Sequence, residues 1–475
     1  VVYLPSNGSV NDDAASLLAE ILNPDGEDQI AWRDGKRYVP RLARNGNLKG
    51  RATQWRPDGA YLITGGLGGL GLNIARWMAE QGARHIVLLG RTGLPDRTQW
   101  PTLTEKDDAY RKAKAIQEIE ASGATVTVIS ADVSDRARMT QVFEQFGKVL
   151  PPLRGLVHAA AALSSWPVKD MPPEALQAML RPKVTGTWIL HELTAKMELD
   201  FFVLFSSTTA LWGSRALAHY AAANQFLDSF AHFRRSLGLP ALSLNWGTWE
   251  EMRAASAEER QEVAQFGLNT MPSAQALEVL GGFLGAALPQ VVVASVDWSL
   301  LKPAYEAKRQ RPFLELVDAK RRAKEEKKQA TPAQPKLLQE LEKARPDERR
   351  EVVLNHVRSE AAKILRLDAS RPIDVNQGLF EMGMDSLMSV ELKSRLEASV
   401  GQSLPSTLTF NYPTIADLTG YLTTEVLNLE SAEPAEPEIE SPKVIVPLLA
   451  TPSDTDEMSE DELADLLAAK LARIK

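Results

Sequence analysis

The sequence predicts an α/β fold, a doubly wound parallel sheet, followed by a small helical domain. Three observations favour this fold. Between about residues 58 and 301, short apolar runs alternate with amphipathic helical stretches, a pattern typical of βαβ units. A glycine-rich segment over 65–71 follows the first apolar run and precedes a helical stretch. Between about residues 337 and 427, apolar residues recur at helical spacing.

The composition limits the classes of protein to consider. The chain has 475 residues, of which 44% are hydrophobic and 24% charged, and this indicates a globular protein of about three domains. It contains no cysteine, which excludes disulfides and thiolate chemistry and fits a cytoplasmic location. A net charge of -8 disfavours nucleic acid as a partner, and no apolar run is long enough to cross a membrane. The six histidines show no metal-ligand spacing, so no metal is expected.

The strands of the predicted sheet can be placed in chain order. Seven apolar runs predict them, over 60–64, 85–90, 125–131, 155–159, 201–206, 242–246 and 291–296. An amphipathic stretch over 72–81 predicts the helix that follows the first strand. Because strands and helical stretches alternate, the strands are expected to run parallel.

The N-terminal residues 1–50 form a separate, small unit. A helical stretch over 12–22 precedes a strand pattern over 29–33, which is too little to close a core alone. The chain opens on Val1 rather than methionine and carries no signal peptide. We therefore expect a piece of a longer protein.

The C-terminal part divides into four segments. Mixed charges over 303–335 predict a linker rather than a nucleic-acid patch. A helical domain is expected over 336–428, with helices over 337–341, 352–365 and 387–400. Residues 429–458, rich in Pro, Glu and Ser, predict a flexible linker. Residues 459–475 predict an amphipathic helix, which either docks on another subunit or packs on its own chain.

The glycine-rich segment predicts a Rossmann-like dinucleotide site. Gly66, Gly68 and Gly71 satisfy the spacing G-x-G-x-x-G between a strand and a helix. Glycine lets the backbone approach a pyrophosphate, and the helix N-terminus offers N–H groups and positive potential. A glycine-rich turn within a core is the alternative. The expected cofactor contacts are Thr64, Gly65, Gly66, Leu67, Gly68 and Gly71.

The ends of the next two strands bear on the choice of cofactor. Arg91 follows the second strand, where NAD sites usually carry Asp or Glu. A cationic side chain suits a ribose 2′-phosphate, so NADPH is expected. Asp132 and Val133 follow the third strand, where they would meet the adenine. Capping a helix is an equal alternative for Asp132.

A group of polar residues has the composition needed for reduction of a ketone. Hydride transfer leaves negative charge on oxygen, so the site needs an acid and hydrogen-bond donors. A tyrosine can serve as the acid if a nearby ammonium lowers its pKa from about 10. Ser207 lies at the end of a predicted strand, Tyr220 follows thirteen residues later and Asn224 four residues after that.

This group resembles the short-chain dehydrogenase/reductase superfamily, with one departure. That superfamily has Tyr-x-x-x-Lys, whereas here Asn224 stands at the lysine position and Lys183 stands where asparagine is usual. The exchange resembles the ketoreductase domains of modular type I polyketide synthases. The resemblance includes 157–160, 220–228 and 245–247, and covers 58–300. It implies a catalytic Rossmann domain over 51–302 and, over 1–50, the C-terminal remnant of the ketoreductase structural subdomain.

The resemblance also implies roles for the four residues. Tyr220 would donate the proton and Ser207 would orient the carbonyl. Lys183 would act electrostatically on the tyrosine and the cofactor ribose, and Asn224 would complete the network. Considered singly, each residue has a structural alternative, such as a turn cap for Ser207 or an exposed position for Lys183.

The same resemblance bears on stereochemistry. The family's B-type members carry a Leu-Asp-Asp triplet, whereas this chain has Leu163, Ser164 and Ser165. Trp212, eight residues before Tyr220, resembles the A-type pattern, which implies an L-configured hydroxyl. Leu217, where A2 members have histidine, favours subtype A1. An indole at the mouth of the site would orient the substrate with Leu163 and Ser165, and packing within a loop is the alternative for Trp212.

The helical domain resembles an acyl carrier protein. The residues that carry this resemblance are Gly383, Met384, Asp385, Ser386 and Leu387, ahead of a predicted helix. It implies a four-helix domain with 4′-phosphopantetheine attached to Ser386. A hydroxyl at a helix N-terminus suits a phosphodiester, because the helix end favours its charge. Helix capping by Asp385 or Ser386 is the alternative.

Together these resemblances imply part of a polyketide synthase module. It would use NADPH to reduce a β-ketoacyl thioester on Ser386 to the β-hydroxyacyl thioester. Its partners would be the ketosynthase, the acyltransferase and, where present, the dehydratase of the synthase, a phosphopantetheinyl transferase, and a downstream subunit bound through 459–475. The alternatives are a silent reductase acting as a scaffold and a free-standing alcohol dehydrogenase fused to a helical domain.

Overall fold

A computed structural model describes most of the chain. The described residues are 2–3, 9–44, 53–214, 216–250, 267–306, 309–317, 336–365, 373–384, 386–405 and 407–429. The predicted second linker from residue 430 onward, the helix predicted over 459–475 and much of the first predicted linker lie outside them.

A seven-stranded parallel sheet forms the centre of the first large domain, as predicted. The bounds of its strands are β4 Ala60–Thr64, β5 His85–Gly90, β6 Thr125–Ser130, β7 Leu153–His158, β8 Phe201–Ser207, β9 Leu242–Trp246 and β11 Gln290–Val293. They lie in the order β11-β9-β8-β7-β4-β5-β6. Every residue of β4, β8 and β9 is buried, which explains their continuous apolar runs.

The sheet is doubly wound. The chain runs outward from β4 through β5 to β6, then returns to β7 beside β4 and continues to the opposite edge. Thr64 pairs with Leu89 of β5 and with His158 of β7, so the carboxyl ends of these three strands lie at one edge. The strand order reverses between β4 and β7, which is where open α/β sheets bind ligands.

Helices cover both faces of the sheet. Eight of the described helices precede β9 in the chain, and their bounds are α1 Val10–Leu22, α2 Gly69–Glu80, α3 Asp108–Ala121, α4 Arg136–Phe143, α5 Pro173–Leu180, α6 Gly186–Thr194, α7 Thr209–Trp212 and α8 Ala218–Ser236. Short 3₁₀ turns span Arg97–Thr102 and Val168–Asp170, and a π-helical turn, Arg181–Thr185, joins α5 to α6. One core packs α2 and α3 on the sheet, and a second packs α4, α6 and α8 on its other face.

The start of helix α2 and the last predicted strand differ from the prediction. Helix α2 begins at Gly69 rather than at residue 72, because Gly68 serves as its N-cap and two glycines lie in its first turn. Glycine is a weak helix former, so the sequence pattern places the start too late. The last predicted strand divides into β11 and β12 (Ser295–Val296), and β12 pairs antiparallel with β10 (Leu268–Asn269).

The N-terminal residues form a small sheet of their own. Its strands are β1 (Val2–Tyr3), β2 (Ile30–Arg33) and β3 (Lys36–Tyr38), with α1 between the first two. Arg41 forms ion pairs with Glu27 and with Glu315, the latter at 2.8 Å. Ordered structure also continues past the predicted boundary at residue 302, since helix Trp298–Glu306 and 3₁₀ turn Pro312–Leu314 enclose buried apolar side chains. The linker prediction is therefore wrong for 303–306 and 309–317.

The C-terminal domain is helical, as predicted. Helices lie at Arg349–Leu365, Ser386–Val400, Leu408–Asn411 and Ile415–Tyr421, and a π-helical turn, Leu422–Val426, extends the last. The predicted helix over 337–341 is observed as Lys336–Lys343, and its Leu337 and Leu341 belong to the same core, so the described part of this domain has five helices where the resemblance implies four. Within the described residues, no helix is both long and apolar enough to span a bilayer, and no cluster of His, Asp and Glu could hold a metal.

Candidate active site and carrier site

The turn after β4 has a shape that only glycine permits. Gly65 has φ +69°, in the left-handed region, and a Cβ there would lie 2.9 Å from Ala159 O. A Cβ on Gly71 would lie 2.4 Å from Gly65 O, and one on Gly66 would lie 2.8 Å from Ile63 O. The turn therefore packs directly against strand ends and the first turn of α2.

A cavity of about 580 Å³ opens beside this turn. Its wall includes seven of the nine predicted cofactor contacts, namely Gly65, Leu67, Gly68, Gly71, Arg91, Asp132 and Val133. Thr64 and Gly66 do not line it. Residues that the sequence analysis did not single out, including Arg181, Pro182 and Ser134, also line it.

The residues of this cavity fit a dinucleotide. Its volume is that of an ordinary ligand site, and the glycine turn leaves room for a close approach of phosphate. The N-cap of α2, Gly68, has no side chain to occupy the first N–H groups, so they remain available to an anion. Arg91 is exposed at the end of β5, where a 2′-phosphate would need a cation.

Asp132 does not cap helix α4. The N-cap of that helix is Asp135, whose side chain accepts a hydrogen bond from Arg138 N. Asp132 Oδ1 instead accepts from Ser134 N at 2.8 Å and from Ser134 Oγ at 2.6 Å. Burial raises the pKa of Asp132, but the hydrogen bonds from Ser134 and the charges of Arg181 and Arg91 together leave the pKa below its usual value. The carboxylate is thus held in a fixed orientation at the cavity wall.

The four predicted catalytic residues converge at the carboxyl end of β8. Ser207 is its last residue, and Tyr220 and Asn224 lie one turn apart on α8, with Asn224 Nδ2 donating to Tyr220 O at 2.8 Å. Burial raises the pKa of Tyr220, and polar contacts with Asn224 and Ser207 partly offset this. Asn224 Oδ1 is buried and has no hydrogen-bond partner among the described residues. This oxygen is therefore an unused hydrogen-bond acceptor beside Tyr220.

Lys183 is buried, not exposed. The π-helical turn Arg181–Thr185 directs its side chain inward, and only 2% of the residue is accessible. Its Nζ donates to Phe205 O at 2.8 Å and lies 5.8 Å from the centre of the Tyr220 ring. Desolvation lowers the pKa of Lys183 to about 7, while the charge of Asp228 opposes that shift. A cation here stabilises negative charge on Tyr220.

A buried polar network supports the end of β8. Asn245 Nδ2 donates to Asp228 Oδ2 at 2.7 Å and to Ser207 O at 3.2 Å. Ser243 Oγ donates to Asp228 Oδ1 at 2.6 Å. Burial raises the pKa of Asp228, and these donors act against the rise. The sequence analysis did not predict this network, although Asp228 and Asn245 both lie in segments that carry the family resemblance.

The predicted substrate-orienting residues occupy two different environments. Leu163 is 61% exposed, and Ser165 is exposed beside it, on the segment after β7. Trp212 is only 5% exposed and packs edge-on against Trp298, with ring centroids 5.9 Å apart. The indole expected at the mouth of the site is therefore buried, because it packs against Trp298.

The predicted attachment serine lies at a helix N-terminus. Ser386 is the first residue of helix Ser386–Val400, and Gly383, with φ +100°, forms the turn that precedes it. Leu379 N donates to Pro413 O at 2.9 Å, which ties this turn to the next helices. Asp385 and the side chains of Ser386 and Leu387 lie outside the described part of the chain.

Comparison with known proteins identifies both domains. Residues 59–251 match the KR domain family, and residues 355–422 match the phosphopantetheine attachment site family. Over 462 residues the chain is 36% identical to a subunit of the phenolphthiocerol/phthiocerol polyketide synthase of Mycobacterium bovis, in a match that covers 96% of this chain. The chain has a KR domain and a phosphopantetheine attachment domain and is homologous to polyketide synthases. It spans about 28% of the length of that relative.

Solved ketoreductases of this family share the fold. The structure of an A1-type ketoreductase is 36% identical, with a TM-score of 0.60, and covers 66% of this chain and 64% of its own. The ketoreductase from the first module of phoslactomycin biosynthesis in Streptomyces sp. HK803 is 35% identical, with a TM-score of 0.57. The match covers 66% of this chain and 69% of that ketoreductase. The ketoreductase family implies an oxidoreductase that binds NADPH, and the carrier family implies covalent 4′-phosphopantetheine.

Proposed function

We propose that this polyketide synthase segment reduces a β-ketoacyl thioester, carried on 4′-phosphopantetheine at Ser386, to the β-hydroxyacyl thioester with NADPH. The observation that carries the proposal is the convergence of Tyr220, Ser207 and the buried Lys183 beside the glycine-lined cavity. A carrier domain in the same chain supports a tethered substrate.

The proposed chemistry assigns each side chain a separate task. The bound nicotinamide would supply hydride to the carbonyl carbon. Tyr220 donates its hydroxyl proton to the carbonyl oxygen, and Ser207 donates a hydrogen bond to the same atom. Lys183 in its charged form stabilises the tyrosinate that remains until solvent returns the proton. Asn224 holds the helix turn that carries Tyr220 and offers Oδ1 as an acceptor.

One assay separates this proposal from the alternatives. Oxidation of NADPH in the presence of a β-ketoacyl thioester mimic should occur with the purified chain. A silent reductase acting as a scaffold would oxidise no cofactor. A free-standing alcohol dehydrogenase would prefer simple alcohols and ketones to the thioester, and would not need a carrier serine.

Arg91 should determine the preference for NADPH. Its guanidinium is exposed at the end of β5 and lines the cavity, so it can pair with a 2′-phosphate. We expect Arg91→Ala to raise the KM for NADPH by roughly 10- to 100-fold, as for loss of one charged hydrogen bond, and to leave the KM for NADH unchanged. Steady-state kinetics with both cofactors measure this. Arg111→Ala, an exposed site on α3, is the matched control, and an equal change for NADH would contradict the assignment.

The proposed product carries an L-configured hydroxyl, as in A-type reduction. The absence of aspartate from 163–165, the presence of Trp212 and the likeness to an A1-type structure favour it. Because Trp212 is covered by Trp298, it would act by shaping the segment before Tyr220 rather than by touching substrate. Chiral chromatography of the reduced thioester should give the L product. A D product would refute the A-type assignment.

The surroundings of this segment are also proposed from the family. The partners would be a ketosynthase and an acyltransferase of the synthase, a dehydratase where the module has one, and a phosphopantetheinyl transferase. A downstream subunit would bind the helix predicted over 459–475. The protein would work in the cytoplasm, where coenzyme A and NADPH are available.

A further inference from the structure

His158 connects three segments that surround the cavity. It is the last residue of β7 and only 1% of it is exposed. Its Nδ1 lies 2.6 Å from Thr64 Oγ1, and its Nε2 lies 3.0 Å from Pro182 O. Thr64 directly precedes the glycine turn, and Pro182 directly precedes Lys183. A single imidazole therefore spans from the cofactor turn to the turn of the catalytic lysine.

The partners of the ring fix the direction of each hydrogen bond. A prolyl carbonyl can only accept, so Nε2 carries the hydrogen. A neutral imidazole has one N–H, so Nδ1 accepts from the Thr64 hydroxyl. Thr64 Oγ1 in turn accepts from Ala160 N at 3.3 Å. The result is a continuous chain from Ala160 through Thr64 and His158 to Pro182, with one defined tautomer.

The charges around the ring keep it neutral. Desolvation lowers the pKa of His158 to about 3, and the nearby charge of Lys183 acts in the same direction. A protonated ring would also have a second N–H facing the Thr64 hydroxyl, which would then have to accept rather than donate. Neutral His158 is thus compatible with charged Lys183, whereas two cations at this spacing would repel each other.

We propose that His158 is a positioning residue of the active site, whose neutral imidazole holds the Lys183 turn against the cofactor turn in one relative position. This inference rests on the proposed function and deepens it. His158 touches neither the carbonyl nor the predicted catalytic hydroxyls. Its effect is exerted through Thr64 at one end and Pro182 at the other.

Two variants test the two hydrogen bonds of His158 separately. Asparagine places an amide near the Nδ1 position, so His158→Asn keeps the Thr64 contact and loses the one to Pro182. Glutamine reaches the Nε2 position, so His158→Gln keeps the Pro182 contact and loses the one to Thr64. Loss of one buried hydrogen bond corresponds to roughly a tenfold change in a rate or binding constant. We expect the asparagine variant to lower kcat by about that factor, and the glutamine variant to raise the KM for NADPH by about that factor.

The pH profile gives a readout that a merely structural role would not move. Lys183 faces Tyr220 and Asp228 from α8 and His158 from β7. Release of its turn in His158→Asn would admit water and weaken the desolvation that lowers the pKa of Lys183. The alkaline limb of kcat should therefore move to higher pH in this variant only. His232→Gln, an exposed histidine on α8, is the control and should leave kcat, KM and the profile unchanged.

A spectroscopic test needs no catalysis. Nitrogen NMR of ¹⁵N-histidine-labelled protein, assigned with the His158 variants, should show a neutral ring with hydrogen on Nε2 at about pH 7. A protonated ring or the Nδ1–H tautomer would overturn the inference. The same changes in kcat and in the KM for NADPH in both variants would also overturn it. If the wild type reduces no thioester, the proposed function fails while NMR and NADPH binding still decide the role of His158.

Discussion

Tyr220→Phe should abolish ketoreduction while leaving NADPH binding almost unchanged. The phenol is the only proposed proton donor to the carbonyl oxygen, and loss of a general acid lowers kcat by roughly 100- to 10,000-fold. The ring itself is retained, so its contact with Lys183 Nζ, at 5.8 Å from the ring centre, persists in the variant. Steady-state oxidation of NADPH and a separate binding titration measure the two effects.

The control for this variant is Tyr38→Phe, which removes an exposed hydroxyl from β3 of the small N-terminal sheet. It should keep the wild-type rate. A Tyr220→Phe enzyme that reduces the thioester within a few-fold of wild type would contradict the proposed role. Loss of NADPH binding together with activity would instead indicate that the hydroxyl maintains the cavity.

Ser386→Ala should remove covalent attachment of phosphopantetheine completely. The hydroxyl is the atom that becomes esterified, and alanine has no nucleophile to replace it. Wild-type protein incubated with coenzyme A and a phosphopantetheinyl transferase should gain one phosphopantetheine by intact-mass spectrometry, and the variant should gain none. Ser403→Ala, an exposed serine of the same domain, is the control and should be modified like wild type.

The Ser386→Ala and Tyr220→Phe predictions can be tested independently, because the two residues lie in different domains. The predicted catalytic residues lie between 183 and 224, outside the carrier domain, so Ser386→Ala should still reduce a free thioester mimic. A folded wild-type protein that accepts no phosphopantetheine would contradict the carrier assignment. Modification of the alanine variant would show that another residue is the attachment site.

The parallel sheet and the glycine turn could be predicted because their signals are local. The apolar runs of β4 and β8 reflect burial on both faces, and the steric demand at Gly71 comes from Gly65 and Gly66, only a few residues before it. The pattern places the start of α2 too late, since glycine at its first turn gives no propensity signal. The local sequence pattern thus predicts the existence of a helix or strand more accurately than the residues at which it begins and ends.

Burial and hydrogen bonding between distant segments could not be predicted in the same way. Lys183 is buried because a π-helical turn directs it inward, and no sequence pattern reports such a turn. Trp212 is covered by Trp298, a partner far along the chain. The contact of His158 with Thr64 joins residues 94 positions apart, and its contact with Pro182 joins residues 24 apart. These contacts exist only once the sheet has brought its strand ends together.

The most direct test of the central claim follows reduction on the carrier itself. Ser386 is loaded with a β-ketoacyl phosphopantetheine arm, NADPH is added, and the arm is examined by intact-mass spectrometry. The wild type should gain two hydrogen atoms on the arm, and Tyr220→Phe loaded in the same way should gain none. An unchanged mass in folded, loaded wild type, or an equal gain in the tyrosine variant, would contradict the account.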